Sequence, residues 1–189
     1  HPIMGGGACG TYSFLRVNKD GYRFCNEDTP LPGITNSYMV SPGHIVWTVM
    51  DADYAAELGQ MSSLSQYNGS TSGPFDPTLG YSPEEAMKMT VESGTSVMAD
   101  TLEELAAAMG VPAENLVATV ERYNELAQGG KDEDFGKDAA NLFPIVKALF
   151  YASQITAALL SCASGLNVDG NMNVCSADGG AIEGLYAVG

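Results

Sequence analysis

Residues able to do acid–base, nucleophilic or metal chemistry are few and scattered in this sequence. Arg16, Arg23 and Arg122 are the only arginines. The two histidines, His1 and His44, have no metal-ligating neighbour at short spacing. The four cysteines, Cys9, Cys25, Cys162 and Cys175, form no C-x-x-C pair, which speaks against zinc or thioredoxin-like chemistry and for buried, inert thiols. The one dense stretch is residues 20–27, DGYRFCNE. A turn dipeptide there runs into an arginine, a cysteine, an asparagine and a glutamate. Asp-Gly between strand-like residues is a strong hairpin signal, so YRFC is expected to pair back onto TYSFLRVN at 11–18. Whether Arg23, Asn26 and Glu27 also edge an active site depends on the rest of the chain.

The elements that would position these groups fall in the order strands, helices, strands, which predicts an α+β fold. DTPLPGITNSYMVSPGH, residues 28–44, reads as loop, with His44 on its surface. IVWTVMD (45–51) has strand length, and ADYAAELG after it a short helix closed by Gly59. Residues 60–82 are a polar loop of the kind that serves as a functional lid or is disordered. Ser82-Pro83-Glu84-Glu85 starts a helix, with a serine cap, proline in the first turn and acids at the positive end of the dipole. Thr101-Leu102-Glu103-Glu104 fits a capping box, and Gly110 closes that helix. A third, strongly amphipathic helix places Ala113, Leu116, Val120, Tyr123 and Ala127 on one face and stops at Gly129-Gly130. Two more Asp-Gly turns follow. The final GLYAVG reads as a fully buried strand.

The bulk numbers narrow the function classes. At 189 residues and 45% apolar, the chain can build one substantial core, or one domain plus part of another. A net charge of −15 repels phosphate backbones and anionic membrane surfaces, which removes nucleic acid as a partner. No apolar run is long enough to span a bilayer, so no membrane insertion is expected. HPIMGGGACG has neither the basic nor the apolar region of a signal peptide. The start at a histidine and the break at GLYAVG point to a piece of something longer.

Several separated stretches, in the right order and together covering nearly the whole chain, resemble the fumarate reductase/succinate dehydrogenase flavoprotein family, in particular its soluble bacterial members. VNKDGYRFCNED resembles the family's V-N-x-x-G-x-R-F-x-N-E, and SPGHIVWTVMD the segment that follows it. ADTLEELAAAMGVPAENLVATVERYNELAQGGKDEDFGK is similar to its T-L-E-E-L-A, R-Y-N and D-x-D-F-G run. LFYASQI resembles its F-Y-A strand, and VDGNMNVCSADGGAIEGLYAVG its closing D-G-x-P-I-x-G-L-Y-A segment.

In that family a mobile substrate-capping domain interrupts an FAD domain. The resemblance implies that residues 1–158 are the cap, a helical cluster with a small sheet, and that 159–189 are the first returning strands of the FAD domain. No G-x-G-x-x-G fingerprint occurs, so the dinucleotide-binding Rossmann half is expected to be lacking. FAD is then the cofactor of the full-length parent, with none held tightly by this piece and the piece alone inactive. The implied activity is hydride transfer between flavin and an activated C=C or C–C bond. The alternative is a degenerate cap that binds a ligand or a protein without redox chemistry. The resemblance leaves both an exported and a cytoplasmic location open.

Carried over by position, the resemblance places His1 where a histidine binds a substrate carboxylate, although His1 also reads as a plain terminal residue. GGGACGTY replaces the family's T-E-x-x-R-G run. The proton-donating arginine falls at Leu31, and the second substrate histidine at Leu160. Ser164-Gly165 replaces paired glycines beside the flavin, and Gly189 stands where a flavin-contacting Gly-Glu begins. Cys162 is either a substrate-facing group or a buried thiol. Arg23, Asn26 and Glu27 are implied to be a structural corner and hinge. Leucines in place of an arginine and a histidine cannot pair the charges of a desolvated dicarboxylate. The expected partners are therefore the FAD domain of the same polypeptide and an unsaturated small molecule other than a dicarboxylate: an enone, an aryl acrylate, or a steroid-like or quinone-like compound.

Overall fold

Alternating large side chains over residues 14–18 and an unbroken buried run over 46–50 require a sheet covered on both faces. The computed structural model describes residues 12–61, 80–156 and 165–188, with the backbone alone for Leu31 and Pro32. The chain divides into two compact units, His1–Ala158 and Leu159–Gly189. No helix among the described residues is long and apolar enough to cross a membrane.

The first unit is built on a four-stranded antiparallel sheet of β1 (Leu15–Asn18), β2 (Val46–Met50), β3 (Ser96–Ala99) and β4 (Phe150–Ile155), in the order β1-β2-β4-β3. Its helices are α1 (Leu31–Val40), α2 (Tyr54–Leu58), α3 (Pro83–Glu92), α4 (Leu102–Met109) and α5 (Ala113–Gly129). Leu15, Val17, Trp47, Val49 and Ala152 share one face of the sheet. They pack on Leu105, Ala106 and Met109 of α4 and on Leu116, Val120 and Tyr123 of α5. The other face carries two smaller apolar clusters. One joins Phe14 and Met50 to α2 and α3, and the other joins Val46 and Ile155 to Ile34 and Tyr38 of α1.

Most of the expected helix signals are realised, although of the Thr101–Glu104 capping box only the Thr101 half forms. Ser82 and Glu85 form a reciprocal capping box. Thr101 Oγ1 accepts from Glu104 N at 3.1 Å, and Gly110 ends α4 in the left-handed conformation. Gly130 does the same for α5.

Four readings are corrected. The 28–44 loop contains α1, because Pro30 and Pro32 favour a helix start and Ile34 and Tyr38, one turn apart, bury against the sheet. YRFC does not form a returning strand. Only a single bridge joins Val17 to Arg23, and β1 takes β2 as its partner. Residues 96–99, which no pattern marked, supply an edge strand. The final strand β6 (Ala181–Tyr186) pairs with β5 (Asn173–Cys175) and is exposed at all six positions. A two-stranded sheet offers no second layer to bury a face. Among the described residues of the second unit, Val174 is the one buried apolar side chain.

Candidate functional site

The 18–28 corner is held by α5. Gly21 has φ +85°, and a Cβ built there would meet Asn115 Cβ at 3.0 Å. The turn therefore needs glycine both for its backbone angle and for the close approach of the helix. Asn115 Nδ2 donates to Asp20 O at 2.8 Å, and Thr119 Oγ1 donates to Gly21 O at 2.8 Å. Asn26 Oδ1 accepts from Asp28 N at 2.8 Å, which closes the following turn.

Thus positioned, the corner points Arg23 into the protein, where its side chain is 6% exposed. Its guanidinium binds two carboxylates at once. Nε and Nη2 reach Glu27 at 2.9 and 2.7 Å, while Nη1 and Nη2 reach Asp132 at 3.1 and 2.7 Å. Such fork-to-fork pairs are the strong form of the ion pair. The guanidinium also lies 5.1 Å from the Tyr123 ring centroid and 4.9 Å from that of Phe135. Burial by itself lowers the Arg23 pKa, but the bonds to Glu27 and Asp132 outweigh it and move it upward. Burial likewise opposes ionisation of Asp132, yet Arg23 and the amides of Lys137 and Phe135 bring its carboxyl down to about 2.

Lys137, fully buried, completes the node. Its Nζ lies 3.6 Å from Glu27 Oε2 and 2.8 Å from Tyr123 Oη, and it donates to Ser13 O. Burial disfavours its ammonium form, and the oxygens of Tyr123 and Glu27 more than offset that, so its pKa is raised. Arg16, also buried, donates from Nη2 to Tyr12 O at 3.0 Å and stands 5.6 Å from the Tyr38 ring centroid. Arg16, Thr48, Ser153 and Ser96 are successive register partners, a polar row across the whole sheet face between the two small apolar clusters. Ser96 and Ser153 share a 2.7 Å hydrogen bond, whereas Thr48 Oγ1 has no partner among the described residues.

The charged groups around Arg23 are satisfied by one another, and they tie the 18–28 corner to α5 and to the loop that follows it. Sequence reasoning missed Asp132 as a partner of Arg23, and Lys137 as a partner of Glu27, because each lies more than a hundred residues downstream. Cys25 is buried, and desolvation with the Glu27 charge pushes its thiol up to about 12, an inert state. His44 is an exposed residue at φ 56°. No metal-ligating cluster occurs among the described residues.

Of the expected substrate-facing and flavin-facing positions, His1, Leu160, Cys162, Ser164 and Gly189 lie outside the described residues. Leu31 opens α1. Gly165 is exposed in an irregular segment at the start of the second unit. Residues 165–188 contain no arginine or lysine, but they include Asp169, Asp178 and Glu183. The space beside Gly170, Gly179 and Gly184 is open. A dinucleotide diphosphate needs closely approaching backbone or positive charge. Among residues 165–188 no cationic side chain is available to a dinucleotide diphosphate.

Comparison with known proteins gives the wider context. The chain is 32% identical to the 4-oxocyclohexanecarboxylate 2-dehydrogenase of Sinomonas cyclohexanicum, over 93% of this chain and 30% of that protein. It is 37% identical to the 3-oxosteroid 1-dehydrogenase of Mycolicibacterium smegmatis, over 92% and 32%. The chain thus spans about a third of the length of these curated relatives. The open conformation of a flavocytochrome c3 fumarate reductase has the same fold, with a TM-score of 0.65 and 24% identity over 91% of this chain and 26% of that one. The family described as FAD binding domain matches residues 3–189, nearly the whole chain, and on that match the chain belongs to this family of flavoproteins.

Proposed function

We propose that this chain is the substrate-capping part, residues 1–158, with returning FAD-domain strands, 159–189, of an FAD-dependent oxidoreductase acting on an activated carbon–carbon bond. The substrate in this reading is a cyclic ketone or enone rather than a dicarboxylate. When bound by the rest of the polypeptide, FAD supplies the hydride chemistry.

The observation that carries the substrate class is the placement of the chain's arginines. Arg16 and Arg23 are built into the core, and Arg122 is held at the surface by Asp134 and Glu125 at 2.8 and 3.2 Å. The position that resembles the family's proton-donating arginine is Leu31. A desolvated dicarboxylate needs two cationic clamps, and none of the three arginines of this chain is left to supply one. The relatives whose names specify an oxocyclohexanecarboxylate and a 3-oxosteroid support a ring ketone.

The test is full-length protein, scanned for flavin absorbance and then assayed with reduced viologen against fumarate, cyclic enones and 3-oxosteroids unsaturated beside the ketone. A yellow protein whose turnover on enones exceeds that on fumarate at least tenfold is expected. Fast fumarate reduction would overturn the substrate class. A colourless protein that still binds the ketones would favour the ligand-binding alternative.

A further inference from the structure

Glu57 is the buried acid that the network leaves out. It is 8% exposed and sits with Tyr54 and Leu58 on the inward face of α2, where both neighbours pack into the cluster of Phe14, Met50 and Met87. The other buried acids, Glu27, Asp51 and Asp132, all accept hydrogen bonds. Glu57 forms neither a side-chain hydrogen bond nor an ion pair among the described residues.

Its surroundings explain why no partner is spare. Asp51, at the end of β2, accepts from Val146 N and Lys147 N at 2.8 Å each and from Asp53 N at 2.9 Å. Asp53, in the turn before α2, takes the nearby cation, the Lys147 ammonium. Lys137, on the loop after α5, attracts Glu57 but is bound to Tyr123, Ser13 and Glu27. Glu57 therefore lies in the field of two negative groups and one engaged cation, beside an apolar cluster. A buried, unpaired carboxylate is costly, whereas the neutral acid is tolerated.

The helix that carries it is short and weakly capped. It is five residues long, its N-cap Asp53 makes no side-chain cap bond, and Gly59 after it is not in the left-handed conformation. A helix this short has no independent stability.

We propose that α2 is a proton-dependent latch, seated while the Glu57 carboxyl carries a proton and loosened when that proton leaves. Burial first, and then the fields of Asp51 and Asp53, push this carboxyl up to about 7, so the change falls in the neutral range. In an opened helix Glu57 returns to the ordinary carboxyl range near 4.3. Opening becomes easier as pH rises between these values and levels off above the higher one.

The experiment is hydrogen–deuterium exchange on full-length protein at pH 6 and pH 8.5, corrected for the intrinsic rate of amide exchange. Peptides spanning residues 54–61 report α2, and peptides from α5 serve as internal reference. Protection of α2 is expected to fall about tenfold more than that of α5 in the wild type, the ratio that the two carboxyl pKa values set. Glu57→Gln and Glu57→Met, which cannot ionise, are expected to abolish that difference. A wild-type α2 whose protection follows α5 at both pH values, or an equal fall in Glu57→Gln or in Glu57→Met, would overturn the latch.

Discussion

Arg23 and Asp132, 109 positions apart in the sequence, meet fork to fork, with Nη1 3.1 Å from Oδ1 and Nη2 2.7 Å from Oδ2. This pair fastens the Asp-Gly corner to the loop that follows α5. Glu27 grips the same guanidinium from the corner side. The arrangement gives the RF-x-NE pattern a structural meaning. The arginine is there to be neutralised from both sides in a place that water does not reach.

Removing Arg23 strands two buried carboxylates. Arg23→Ala is expected to cost about 3–5 kcal/mol of stability, the range for breaking a buried pair by deleting one partner. Arg23→Lys keeps a charge but not the fork and should recover only part of that. Chemical denaturation checks both, and substrate preference in the full-length protein should be unchanged.

Asp132 sets an acid limb to stability. Its folded pKa, about 2, lies below its ordinary value of 3.8, so its contribution is present above pH 4 and lost as pH falls toward 2. The limb amounts to about 2 kcal/mol. Asp132→Asn should be less stable at pH 7 and flatter between pH 4 and 2, as read from denaturant midpoints across that range.

Gly21→Ala meets two obstacles, a φ of +85° and Asn115 Cβ at 3.0 Å from the new methyl. A loss of about 1–3 kcal/mol is expected, seen as a lower denaturant midpoint. The Asn115 and Thr119 bonds to the turn should be lost with it, visible as faster amide exchange at the start of α5.

The polar row on the sheet separates two kinds of buried hydroxyl. Thr48 Oγ1 has no partner among the described residues, so Thr48→Val should be neutral or stabilising by up to about 1 kcal/mol. Ser153→Ala strips Ser96 of its 2.7 Å partner and should cost about 1–2 kcal/mol. Paired thermal denaturations distinguish the two.

Position 31, at the start of α1, tests the substrate reading. Leu31→Arg in the full-length protein should raise fumarate turnover at least tenfold and lower turnover on enones. An unchanged ratio of the two rates would separate this position from proton delivery.

Much of the helical half was legible because helix signals are local. Ser82, Thr101, Gly110 and Gly130 act within a few residues of themselves, through caps and left-handed turns that no distant contact needs to complete. The stripe Leu116, Val120, Tyr123 faced the core because a 3.6-residue period leaves an apolar face no other place to go. Family membership was legible for a related reason. Glycines and caps each occupy a position that local geometry demands, and their order along the chain, with that of the RF-x-NE corner, carries the resemblance.

What only the tertiary structure decided was pairing. YRFC had every mark of a returning strand, but Arg23 was drawn inward by an aspartate a hundred residues away, and β1 took β2 instead. Residues 96–99 became a strand because β4 offered them an edge, and 31–40 a helix because the sheet offered Ile34 and Tyr38 a surface. The Glu57 environment was equally hidden. On a sequence Glu57 is an ordinary helix acid, and its lack of a partner arises only when folding commits Lys147 to Asp53 and Lys137 to Tyr123 and Glu27. A charge is written in the sequence, but its compensation depends on distance and burial, which belong to the folded chain.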